Sequence, residues 1–175
     1  MTMAPGLRRF ALIAHIMSSA GLLGAIASFL ALAVAGLNSP DAPLVGGVYL
    51  AMELTARFVI VPLAFASLLT GVVQSLGTRW GLFRHWWVLM KLLLTIFATV
   101  VLLLKMALVS YVAGEAAKTP LSRSDLRQAR VELVVHAGGG LLVLIVPMVL
   151  SVFKPRGLTR YGWRKQHERS PVLQL

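Results

Sequence analysis

The sequence predicts an all-α protein that forms a four-helix transmembrane bundle with both termini in the cytoplasm. Hydrophobic residues make up 58% of the 175 residues, and the mean hydropathy is +0.81, whereas soluble domains are only about half apolar. The apolar residues form four runs, each longer than the ~20 residues that cross a hydrocarbon core. Because lipid offers no hydrogen-bond partner to the backbone, each run must be helical.

The first predicted helix spans residues 10–37 and ends at a cluster of helix breakers, NSPDAP, at residues 38–43. Its apolar run is longer than the core of a signal peptide, which favours a retained membrane helix. The second predicted helix spans residues 46–76 and stops at Gly77. At 175 residues the chain is large enough for one membrane domain and too small for two.

The third predicted helix spans residues 86–112 and follows a basic segment rich in Trp, RWGLFRHWW, at residues 79–87. Such a segment is typical of a cytoplasmic membrane boundary, because Arg stays in the cytoplasm and Trp prefers the headgroup layer. The fourth predicted helix spans residues 131–153. We therefore expect a membrane domain at residues 1–153 and a basic cytoplasmic tail at residues 154–175.

The distribution of Lys and Arg predicts the orientation. Basic residues concentrate in the N-terminal segment, the second connection and the tail, whereas the first connection has none. The third connection is the exception, because its basic residues are mixed with acidic ones. By the positive-inside rule, both termini and the second connection lie in the cytoplasm. The net charge of +11 then indicates attraction to the anionic headgroups of a lipid bilayer rather than binding of nucleic acid.

Polar side chains recur at helical spacing on one face of each predicted helix, which indicates a bundle with its polar faces inward. The depths of these side chains predict two polar clusters separated by an apolar middle. The outer cluster joins four charged or titratable side chains, with Glu132 beside them: Glu53, Arg57, Lys105 and His136. The inner cluster contains His15 and Lys91, together with His85 at its edge.

The charged members of these clusters have two interpretations each. Glu53 and Arg57, four residues apart with Glu first, suit either a self-neutralising pair or part of an ion or substrate site. Lys91 and Lys105 suit either snorkelling to the interface or a role inside the bundle. The run at residues 138–140, GGG, favours close helix packing rather than phosphate binding.

Histidines are the residues most able to carry chemistry. An imidazole ligates haem iron, relays protons or bonds to a neighbouring helix. Two axial ligands must lie at similar depth, which permits His15 with His85 and excludes His15 with His136. The absence of cysteine excludes disulfides and thiolate metal sites. We assign no catalytic residue and no metal site.

Two short segments resemble a known family. The run HWWVLMKLLL at residues 85–94, and AHI at residues 14–16 followed by Gly21 and Gly24, resemble an uncharacterised, actinobacterial-like group of small integral membrane proteins, the DUF2269-like group. The tail segment KPRGLTRYG at residues 154–162 is similar to theirs. More distantly the chain resembles copper-resistance D-type and HemJ-type haem-binding bundles. The resemblance implies a bacterial inner membrane, a bound haem, and functional roles for His15 and Lys91.

Three functions stay open. The first is a non-enzymatic accessory or scaffold protein whose partner is a second copy or another subunit of a membrane complex. The second is a membrane redox protein that binds haem b through His15 with His85 or Lys91. The third is a small-solute or ion pathway through the outer cluster. The residues themselves do not determine a cofactor.

Overall fold

The computed structural model describes residues 3–77, 85–118 and 126–153, together with residues 157, 159, 163 and 164. Five α-helices account for most of this part of the chain. Their bounds are α1 Pro5–Asn38, α2 Ala42–Thr55, α3 Val61–Gly77, α4 Trp86–Lys118 and α5 Arg127–Phe153. A π-helical turn, Ala56–Ile60, joins α2 and α3 into one continuous segment. The result is four helical segments long and apolar enough to cross a membrane, which confirms the predicted all-α four-helix bundle.

The helices extend beyond the apolar runs that predicted them. The first begins at residue 5 rather than 10, because a proline is well suited to the first turn of a helix. The third continues to residue 118 rather than 112, because the sequence AGEAAK at residues 113–118 is rich in strong helix formers. At 33 residues this helix is about 50 Å long, whereas the hydrocarbon core is about 30 Å thick. Hydropathy therefore located the membrane-embedded part and not the helix ends.

The four segments follow one another round the bundle in chain order. Helix α1 packs against the α2–α3 segment and against α5, and α4 packs against the same two neighbours from the other side. The core between them is built from small and medium-sized side chains that are almost fully buried: Ala33, Val45, Met52, Val112 and Ala113. Such side chains let the helix axes approach closely. This arrangement brings residues of all four segments to a shared interior.

The π turn keeps one face of the second segment buried. Met52, Ala56, Ile60 and Ala64 are each at most 2% exposed and are spaced four residues apart. In a regular α-helix every step of four turns the side chain by about 40°, so three steps would turn it about 120° away. A π turn accommodates an additional residue and cancels this drift. The predicted second helix was continuous over residues 46–76, so the sequence pattern did not indicate this turn.

Three of the predicted features lie outside the described residues. Most of the basic segment before α4, the third connection at residues 119–125, and most of the tail at residues 154–175 belong to this group. The length and composition of the four helical segments in the described part of the chain indicate a multi-pass membrane protein.

Candidate functional site

A cavity of about 590 Å³ lies at the end of the bundle where α1 and α4 begin. We call it the basic cavity, because cationic side chains from two helices line it: Arg8, Arg9 and Lys91, with His15 beside them. Its other polar lining residues are Ser67, Gln74, Ser75, Thr95 and Ser151. Among the described residues that line this cavity, none is a carboxylate.

His15 is held by the neighbouring helix. Its Nδ1 lies 3.1 Å from the carbonyl oxygen of Ser67 and 3.1 Å from Oγ1 of Thr70. Because a carbonyl oxygen only accepts, we assign the proton to Nδ1, which leaves the lone pair on Nε2. A side chain at Gly71 would begin 3.1 Å from the imidazole ring, so this glycine provides the room for His15. A hydrogen bond of 2.7 Å between the Oγ atoms of Ser19 and Ser67 fixes the same interface.

Lys91 connects α4 to α5. Its Nζ donates to Oγ of Ser151 at 2.5 Å and lies 5.4 Å from the centre of the Trp87 ring. The Ser151 hydroxyl in turn donates to the carbonyl oxygen of Pro147, so its lone pairs are oriented toward the ammonium. These contacts hold the ammonium beside the cavity within the bundle, and snorkelling is not needed to explain its position.

The predicted inner cluster is brought together in part. His15 and Lys91 line the same cavity, as their depths predicted. His85 is not among the described residues that line it, and its ring lies 6.2 Å from the ring of Trp87. Ser18, one turn after His15 on α1, is buried and donates to the carbonyl oxygen of His15.

The predicted outer cluster is divided into two groups by α4. On one side, Glu53 accepts hydrogen bonds from Arg57 at 3.3 Å and from Ser110 at 2.7 Å. On the other side, Lys105 donates to the carboxylate of Glu132 at 2.5 Å. Ser110 and Lys105 are five residues apart, or about 140° round the helix. The described contacts therefore place these side chains in two groups rather than in one.

His136 belongs to the second of these groups. It follows Glu132 by one turn, and its Nδ1 bonds to the carbonyl oxygen of that residue at 2.8 Å. Arg57 is 57% exposed in its side chain, whereas Glu53 is only 24% exposed. Since the acids are paired within each group, a solute or ion pathway through all four residues stays a prediction.

A second cavity of about 360 Å³ lies between all four segments. We call it the apolar cavity, since its lining is apolar apart from four side chains: Thr95, Thr99, Lys105 and His136. Gly139 and Gly140 also line it. A Cβ atom added at any glycine of residues 138–140 would meet no atom within 4 Å. The prediction that this run serves close packing is therefore wrong, and the missing side chains leave space instead.

The sequence pattern missed a buried cluster at the other end of the bundle. Arg130 is fully buried, and its Nε donates to the Tyr49 hydroxyl at 2.9 Å. Its Nη2 donates to the carbonyl oxygen of Gly36. In the sequence, Arg130 looks like one more basic residue of the polar connection before α5. However, Leu133 follows it by three residues and Ala137 by seven, and both are buried. That helical spacing was the available signal.

No protein-family model matches this chain, and neither does any curated protein or solved structure at a significant level. The site must therefore be interpreted from its own chemistry. Within the described ranges, no three His, Asp or Glu side chains are grouped as metal ligands. What the bundle offers is a cationic cavity for an acidic group, next to an apolar cavity.

Proposed function

We propose that this chain is a non-enzymatic protein of the bacterial inner membrane that binds an anionic ligand in the basic cavity. The observation that carries the proposal is the lining of that cavity, to which Arg8, Arg9 and Lys91 each contribute a cationic side chain. Guanidinium and ammonium groups form their strongest hydrogen bonds with carboxylate or phosphate oxygens. An accessory subunit that holds such a ligand for a membrane complex fits this chemistry.

The three cations have different parts in the proposal. Arg8 and Arg9 are exposed, so they attract an anion to the opening of the cavity. Lys91 is half-buried and is positioned by Ser151 and Trp87, so its charge acts at lower dielectric and more strongly. The positive-inside rule places this end at the cytoplasmic leaflet, where anionic lipid headgroups are abundant.

Replacing Lys91 by Gln is expected to weaken the binding of an anionic lipid about tenfold or more. Hydrogen bonds to charged groups contribute about 1.5–3 kcal/mol, and 1.4 kcal/mol corresponds to about tenfold in affinity. The measurement is quenching of Trp87 fluorescence by brominated phosphatidylglycerol in mild detergent, with brominated phosphatidylcholine as the neutral comparison. The other tryptophans are replaced by Phe: Trp80, Trp86 and Trp163.

The matched control is Lys118→Gln. That lysine is exposed, lies at the far end of α4 and pairs with Glu115 at 2.9 Å, so its loss should leave the quenching unchanged. Equal quenching by both lipids in the unsubstituted protein would contradict the proposal. So would an unchanged preference for phosphatidylglycerol in Lys91→Gln.

Haem b is a second candidate ligand, favoured by the geometry of His15. An Nδ1–H group that bonds to a carbonyl oxygen fixes the tautomer in which Nε2 is available to a metal. The adjacent cations suit acidic side groups, and a bound haem would supply a one-electron redox centre. Among the described residues, only His15 is placed to act as an axial ligand of the haem iron. His85 does not line the cavity, and Lys91 donates to Ser151.

A visible spectrum tests this candidate. If haem is the ligand, protein purified in mild detergent shows a Soret band and sharpened α and β bands after dithionite. Replacing His15 by Ala should remove these bands, whereas His136→Ala, which changes a histidine outside the basic cavity, should retain them. A flat spectrum from protein expressed with ample haem would exclude haem and leave the anionic-lipid proposal standing.

A further inference from the structure

The two cavities meet at one residue of α4. Thr95 lines both the basic cavity and the apolar cavity. On the same helix, Lys91 lines the basic cavity one turn earlier, and the apolar cavity continues as far as Val109. From Thr95 to Val109 the helix rises about 21 Å. The cavities therefore adjoin at Thr95, with cationic side chains lining one and mostly apolar side chains lining the other.

The hydroxyl and ammonium groups along the apolar cavity have partners within the protein. Thr95 donates its hydroxyl hydrogen to the carbonyl oxygen of Lys91, and Thr99 donates to that of Thr95, both at 2.8 Å. Lys105 is paired with Glu132, and Nδ1 of His136 bonds to the carbonyl oxygen of Glu132. The space between them therefore favours a largely apolar occupant, because a buried polar group needs a partner.

Part of the lining of the apolar cavity lies at the surface of the bundle. Two of its lining side chains, Phe97 on α4 and Val135 on α5, are 59% and 63% exposed. Gly139, which is also exposed, lies one turn after Val135 and carries no side chain. In a membrane such surface residues contact the hydrocarbon layer, which is where the alkyl chain of a lipid lies.

We propose that the anionic ligand is a long-chain amphiphile whose alkyl chain runs past Thr95 into the apolar cavity. This inference rests on the proposed function, since the acidic head occupies the basic cavity near Lys91. The head is a phosphate or a carboxylate, because both present oxygens to the same cations. The apolar cavity has a volume of about 360 Å³, which is within the usual size range of ligand pockets.

The alkyl chain determines the position of the ligand more than its affinity. A chain in a bilayer or micelle is already surrounded by hydrocarbon, so transfer into the cavity brings little hydrophobic gain. Comparing the affinities of ligands with alkyl chains of different length is therefore a poor test. A test must show where the end of the chain lies.

The experiment uses two probes with a diazirine at the end of a sixteen-carbon chain, one a fatty acid and one a phosphatidylglycerol. Each is mixed with the full-length protein in lipid nanodiscs, illuminated, and the labelled residues are mapped by mass spectrometry. We expect labels on the cavity-lining residues Thr99, Leu102 and Val143 to exceed those on the lipid-facing Leu142 at least fivefold. Labelling by one probe alone supports the inference and identifies the head.

Two variants test whether the chain enters the cavity. Gly140→Leu fills the apolar cavity, and Thr95→Phe narrows the junction, so each should reduce cavity labelling at least fivefold. The matched control is Leu142→Phe, which enlarges a side chain that is 67% exposed two residues away and should leave cavity labelling unchanged. The melting temperature of each variant shows that it is folded.

The outcomes separate this inference from the proposed function. Labels confined to lipid-facing residues, with Trp87 quenching still dependent on Lys91, would overturn the chain placement and leave anion binding intact. Cavity labelling that is equal for a phosphatidylcholine probe and unaffected by Lys91→Gln would overturn anion binding itself. If both Lys91→Gln and Gly140→Leu reduce cavity labelling, the result supports anion binding and the placement of the alkyl chain together.

Discussion

Replacing Arg130 by Leu is expected to lower the free energy of unfolding by about 3 kcal/mol, because it removes a buried hub of hydrogen bonds. Arg130 on α5 is fully buried and donates to the hydroxyl of Tyr49 on α2 and to the carbonyl oxygen of Gly36 on α1. Its guanidinium also lies over the Tyr49 ring, 5.5 Å from the centroid. Leu fills part of the volume but leaves both oxygen acceptors without this donor.

The measurement is unfolding in mild detergent, followed by circular dichroism as sodium dodecyl sulfate is added. Arg127→Leu is the matched control, because Arg127 is exposed one turn earlier on the same helix and should change stability by less than about 0.5 kcal/mol. Tyr49→Phe removes only the hydroxyl that accepts from Arg130, so it should lower the free energy of unfolding by about 1 kcal/mol. Equal losses for Arg130→Leu and Arg127→Leu would show that the buried cluster does not stabilise the bundle.

Replacing Gly46 by Leu is expected to destabilise the bundle by about 1–3 kcal/mol, because it overpacks the interface between α2 and α4. A Cβ atom added at Gly46 would lie 3.3 Å from the carbonyl oxygen of Ala116, and a backbone atom cannot move aside as a side chain does. The nearby Val112 and Ala113 are fully buried. The two helices must therefore separate to admit the new side chain.

The adjacent Gly47 provides the control. A Cβ atom at Gly47 meets no atom within 4 Å, so Gly47→Leu should leave stability unchanged or raise it slightly. Both substitutions replace Gly by a better helix former in the same helix, so the difference between them reports packing alone. Similar unfolding transitions for the two variants would contradict the close approach of α2 and α4.

Hydropathy and periodicity were sufficient for the architecture, because four apolar runs in a membrane have only one way to satisfy their backbone. They did not locate the helix ends, since residues 113–118 are helical by propensity and not by hydropathy. The π turn at Ala56–Ile60 was also missed, because it depends on which residues the neighbouring helices bury.

The candidate site was predicted in part. Helical spacing and depth brought His15 and Lys91 together, as the basic cavity does. The same reasoning grouped Glu53 with Lys105, because depth alone does not tell which side of α4 a residue occupies. Rotation of a helix about its axis is set by its packing against neighbours, and this cannot be derived from one helix at a time.

Local composition was enough to predict that the chain is helical, that it has four segments able to cross a membrane, and which residues are charged within them. Each segment meets the requirement to satisfy its backbone in lipid independently of the others. The packing of the helices was needed to show that Arg130 is a buried hub, that Gly139 and Gly140 line a cavity, and that Thr95 lines two cavities. Each of these depends on which faces of four helices meet, and hence on contacts between residues distant in the chain.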